Sequence, residues 1–136
     1  MSAGVVDGRW LVPGRVGAGG DERVWVLPAG MLWDAVRTPE EVALPVLGQL
    51  LADGGDRRRL GPVLLDNRSH QVHWLVSPGH SASYPAQCRL IGAGGWLAVP
   101  GPGGALGRLA WLHLPEPGTL SAPAWLAAAL GSGNAQ

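Results

Sequence analysis

The sequence predicts an α+β domain: a mixed or antiparallel sheet of about five to seven short strands, one longer helix on a face, and a short C-terminal helix. Three observations carry this. Short β-branched and aromatic runs are bounded by Gly and Pro. A single apolar stripe at helical spacing lies between residues 42 and 51. Strand signals outnumber helix signals, and they do not alternate with them as a parallel βαβ array requires.

The elements follow in order. Residues 1–22 are Gly-rich around the apolar knot Trp10-Leu11-Val12, and the pattern predicts a mobile arm with at most one pinned strand. Arg23-Val24-Trp25-Val26-Leu27, stopped by Pro28, predicts a strand. Met31 to Arg37 is read as one or two helical turns. Thr38 then offers an N-cap, Pro39 a first helical position and Glu41 the far side of a capping box. Val42, Val46, Leu47, Leu50 and Leu51 form the stripe of the helix that follows, and Gly54 supplies a stop. Pro45 removes a hydrogen bond inside it, which predicts a kink or a split. Val63-Leu64-Leu65 and Val72 to Val76 flank the turn chemistry of Asp66-Asn67-Arg68-Ser69 and predict a hairpin. A polar loop runs to Pro85, and Leu90-Ile91 is a short apolar stretch. Trp96 to Val99 and Leu109 to Leu112 are further strands, and Pro123 opens a helix through Leu130. The domain therefore spans residues 23–130, with residues 131–136 a polar tail.

Composition narrows the function classes. The 136 residues carry ten acids and ten bases, every base is Arg, and only 15% of residues are charged. Uniform Arg with abundant Gly, Ala and Pro reflects coding from a GC-rich genome. Zero net charge speaks against non-specific nucleic-acid binding, whose affinity comes from cations neutralising phosphates. The single cysteine, Cys88, forbids an internal disulfide and a Cys-rich zinc site. Neither a membrane-spanning apolar run nor a secretory leader pattern stands in the sequence, so the cytoplasm is the expected location.

Each candidate chemistry has a plainer alternative. His70 and His73 stand three apart on a hairpin, on opposite faces, without acids at ligand spacing, so no metal site is expected. His70 would share a face with Val72, Trp74 and Val76. Ser77, His80, Ser81 and Ser83 cluster in one loop with Asp66 nearby in sequence, but no nucleophile elbow is present. Cys88 reads as a small buried thiol. Gly92-Ala93-Gly94-Gly95 precedes a strand rather than a helix, which makes it a tight turn and not a phosphate loop. No cofactor signature emerges.

Arg57-Arg58-Arg59 is the densest basic spot. Of seven Trp, those in strands (Trp25, Trp74, Trp96, Trp111) are assigned to the core. Trp10, Trp33 and Trp125, near element ends, are candidates for a contact surface.

From Gln71 to Leu130 the chain shows a further order. Val72-His73-Trp74-Leu75 ends at Pro78. Gly92-Ala93-Gly94-Gly95 leads into Trp96-Leu97-Ala98-Val99-Pro100, then Gly107 with Leu109-Ala110-Trp111-Leu112, then Pro123-Ala124-Trp125-Leu126. This succession resembles the distal half of the primase-polymerase domain of the archaeo-eukaryotic primase superfamily, in its bacterial bifunctional DNA primase/polymerase form. Small actinobacterial proteins share the general look. The resemblance implies two-metal phosphoryl transfer held by an Asp-x-Asp pair, a third acid before the Gly-rich turn, and a hairpin histidine. This chain departs at each point. No Asp-x-Asp lies upstream, Arg89 occupies the third acid's place, Ala93 replaces a further acid, and Val72 stands where the histidine belongs.

The reading is a non-catalytic regulatory or adaptor domain acting on an unidentified protein partner or as a homodimer. The alternative is a nucleotide- or nucleic-acid-binding module with a cradle of Arg57, Arg58, Arg59, Arg68 and Arg89.

Overall fold

A computed structural model describes residues 24–101 and 108–134. Strands β1 (Val24–Pro28) and β2 (Asp34–Pro39) lead into helices α1 (Glu40–Ala52) and α2 (Gly54–Arg59). Strands β3 (Val63–Asp66), β4 (Gln71–Val76), β5 (Arg89–Ile91), β6 (Trp96–Pro100) and β7 (Leu109–His113) follow, and α3 (Pro123–Asn134) ends the fold. The α+β class is as expected. The N-terminal arm and Trp10 lie outside the described residues.

Two antiparallel sheets form. One has five strands in the order β5-β2-β4-β3-β7, and the other is a ribbon of β1 against β6. The five-stranded sheet is the middle of three layers, because its strands alternate. On one face Val36, Val63, Val72, Trp74 and Val76 pack with Val46, Leu47 and Leu50 of α1 and Leu126 and Leu130 of α3. On the other, Ala35, Leu64, Leu75 and Leu109 meet Leu27, Leu97, Val99 and Trp33 under the ribbon. Central β4 is buried from Val72 to Val76, as a strand covered on both sides must be.

Several expectations are corrected. Residues 34–39 are a strand, not helical turns, and β4 and β5 hydrogen-bond to its two edges. The capping box does not form: α1 begins at Glu40 behind Pro39 with no side-chain cap, and the Thr38 hydroxyl donates instead to Cys88 Sγ at 3.6 Å. Thr38 belongs to a strand, and its side chain is committed to the sheet. Pro45 sits inside α1 without dividing it. The stop lies at Asp53, in extended conformation, whose carboxylate accepts the Asp56 amide to start α2. The arginines 57–59 are thus helical rather than in a loop.

Gly61 lets two backbones meet. A Cβ there would lie 2.7 Å from Ser121 N, 2.8 Å from Leu75 O and 2.9 Å from Leu120 Cα, none of which is a flexible side chain. Gly61 N also donates to Ser121 Oγ at 2.8 Å, and Ser121 N donates to Leu75 O. Gly61→Ala is expected to cost about 1–3 kcal/mol through this crowding. Gly48→Ala, in open space on α1, is the control and should gain about 0.5–1 kcal/mol. Thermal melts of the two variants should move in opposite directions; parallel shifts would contradict the packing.

Candidate functional site

The five arginines of the expected cradle do not converge. Arg57, Arg58 and Arg59 end α2, ahead of the start of β3, whereas Arg68 lies in the turn beyond the end of β3. Arg89 is on β5, three positions away from β3 in the sheet, or about 14 Å at ordinary strand spacing. Arg59 is already engaged. Its guanidinium lies 4.9 Å from the centroid of the Trp125 ring, fastening α2 to α3.

The tryptophans also change places. Trp33 is fully buried (0% exposed) beneath the ribbon, so it is a core residue and not a contact residue. Trp125 is half-buried against the helical core and lines a shallow cavity of about 320 Å³ with Gln49 and Asp56. Trp96, assigned to the core, is 61% exposed.

The reason lies in the ribbon. Val24 pairs with Pro100, Val26 with Ala98 and Pro28 with Trp96, and opposed residues share a face. The alternate pairs turn Leu27, Leu97 and Val99 inward. By register the outer face carries Val24, Val26, Pro28, Trp96, Ala98 and Pro100, none with a charged or hydrogen-bonding side chain except the Trp96 indole; Val26 and Trp96 are exposed, and the other four are partly covered, Val24 and Ala98 against the ribbon-side core. Val26 is 60% exposed. The turn after Pro28 adds exposed Met31 and Leu32 at the Trp96 end, where Ala29 N donates to Gly95 O. A two-stranded sheet apolar on both faces has one face that water should not be touching.

The histidines separate. His70 is in the hairpin turn with a left-handed backbone (φ 57°), so it does not share the face of Val72, Trp74 and Val76, and its Nδ1 lies 3.8 Å from Glu40 Oε1. His73 is on β4, facing the ribbon side, 4% exposed, and its Nε2 accepts from Arg37 Nε at 3.2 Å. Burial, then the Arg37 charge, pull its pKa down to about 4, partly opposed by Asp66. The imidazole is neutral at pH 7, and with Nε2 accepting, its proton sits on Nδ1. Among the described residues, no group of three or more His, Cys, Asp or Glu is arranged to hold a metal ion.

The remaining candidates settle into structural roles. Gly95 N donates to Gly92 O across a turn with Gly94 at φ 92°, the geometry of a tight turn feeding β6. Burial raises the Cys88 pKa, which keeps it a thiol rather than a nucleophilic thiolate. Ser77, His80 and Ser81 line a cavity of about 340 Å³ with the start of α3. Asp66 is not there: its Oδ1 accepts the Arg68 and Ser69 amides in the hairpin turn.

One grouping was not anticipated. Arg37 stands in register with Arg89 on one side and His73 on the other, so all three side chains share the ribbon-side face. No family model, no curated protein and no solved structure matches this chain. No described helix is long and apolar enough to cross a membrane.

Proposed function

We propose that this chain is a non-catalytic regulatory or adaptor domain that works through protein contact, and that its contact is with a second copy of itself across the outer face of the ribbon. The observation that carries this is the apolar outer row, with Val26 exposed at its middle and Trp96 exposed at one end. Exposed aromatic anchors on a rigid strand pair supply contact area at small entropic cost.

The identity of the partner follows from charge. The described residues of the outer face offer no cation or anion to a charged surface, so the surface they suit is equally uncharged. Its own copy is one, and a two-fold axis would bring the same residues together from both sides. With ten acids and ten bases, two copies carry no net repulsion. Loss of the carboxylates that the primase-polymerase resemblance would need supports the non-catalytic part of the reading.

Sedimentation equilibrium over micromolar concentrations tests it. Wild type should be dimeric. Trp96→Ser should weaken the dimer about 30-fold, the effect of removing one aromatic anchor, and leave the circular dichroism spectrum in place. A monomeric wild type, or a dimer indifferent to both Trp96→Ser and Val26→Ser, would overturn this reading.

A further inference from the structure

We infer that Arg37, Arg89 and His73 form a binding site for a small phosphate-bearing dianion, separate from the ribbon's contact face. Arg37 and Arg89 are directly opposed on β2 and β5. Like charges in that relation repel. No carboxylate among the described residues is paired with either of them: Arg37 donates to His73, and Asp66, on the same face, is taken up by the Arg68 and Ser69 amides and lies 3.8 Å from Arg108. Two guanidiniums opposed on adjacent strands, with no described carboxylate between them, suit an anion.

His73 organises the pair. Its Nε2 holds the Arg37 Nε–H, which fixes the guanidinium in plane and leaves its terminal nitrogens to bind elsewhere. Its Nδ1 is buried and has no hydrogen-bond partner. Arg89 is exposed on the edge strand and gives the site its entrance, whereas Arg37 is half-buried.

The class of ligand follows from the donors. Two unit positive charges match a phosphate monoester or free phosphate dianion, and each planar guanidinium can grip two of its oxygens. A carboxylate would neutralise only one of them.

Calorimetric titration of the full chain with inorganic phosphate, adenosine monophosphate and acetate, at low and moderate salt, tests the site. Phosphate or the nucleotide should bind with a Kd of about 0.1–1 mM and weaken as salt rises, with acetate much weaker. A nucleotide that binds tighter than phosphate supports the site and identifies the monoester as its source; equal binding supports it with free phosphate as sufficient. Arg89→Gln, which removes an exposed side chain, should weaken binding by about ten-fold or more, and Arg37→Gln likewise. Phosphate should raise the melting temperature of wild type and not that of Arg89→Gln. The inference falls if neither phosphate nor nucleotide binds, or if both Arg variants bind as wild type does. It falls also if only a single-stranded oligonucleotide binds, which would make the surface a nucleic-acid contact. None of these results bears on whether the ribbon forms a dimer.

Discussion

Trp33→Ala is expected to cost about 3–5 kcal/mol, enough to remove a large part of the stability of an ordinary domain. Trp33 is fully enclosed under the ribbon with Leu27, Ala35, Leu75 and Val99. Those neighbours belong to four strands, which cannot all close over the space an indole leaves. Trp96→Ser is the comparison: its side chain is 61% exposed, and in protein dilute enough to be monomeric its removal should change the melting temperature little. Chemical denaturation of the two variants measures the difference directly. Equal stabilities would mean that the ribbon does not cover the sheet in the manner described.

The second large effect is on stability in acid. An unfolded histidine titrates near 6.5, and His73 in the fold near 4. Above pH 6.5 both states are neutral and His73 contributes no slope. Between pH 6.5 and 4 the unfolded chain binds a proton that the folded chain refuses, so stability falls as pH falls through that window. The full difference is about 3 kcal/mol. The groups acting on His73 are Arg37 from β2, which opposes the proton, and Asp66 from β3, which favours it more weakly. His73→Gln does not titrate, and its unfolding free energy should depend less on pH over the same window. Some slope will remain, because burial, then Arg57, lower the pKa of His113 as well. A pH dependence identical in wild type and His73→Gln would remove His73 as its source.

Much of the fold was legible where the cause was local. Gly, Pro and Asn-Arg-Ser turn chemistry bounds β3, β4 and β6, and the 3.6-residue stripe marks α1. The failures share a different cause. Asp34-Ala35-Val36-Arg37-Thr38 lacks polar alternation because β2 is covered on one side by helices and on the other by the ribbon, so its period is hidden. Thr38 and Glu41 have capping-box spacing, but the Thr38 hydroxyl is drawn to Cys88, fifty residues on, and no window of sequence contains that contact. The tryptophans were misjudged for a similar reason. Strand position alone does not say which face of a ribbon is covered, and that depends on β1 finding β6. Arg37 could not have been singled out beforehand: its significance comes from register with Arg89 and His73, which only the folded sheet creates. Arg89 stands where the primase-polymerase resemblance calls for a metal-binding acid, and the sheet places it in register with Arg37.

The ribbon sets the order in which this chain can assemble. Its rungs join Val24 to Pro100 and Pro28 to Trp96, so the chain from β2 to β5 is looped between its two strands. Closing so wide a loop costs entropy before any contact rewards it. Hairpin β3–β4 needs only a four-residue turn and has no such delay. The clamp over Trp33 therefore closes after that hairpin, and until it does, the face holding Ala35, Leu64 and Leu75 is bare.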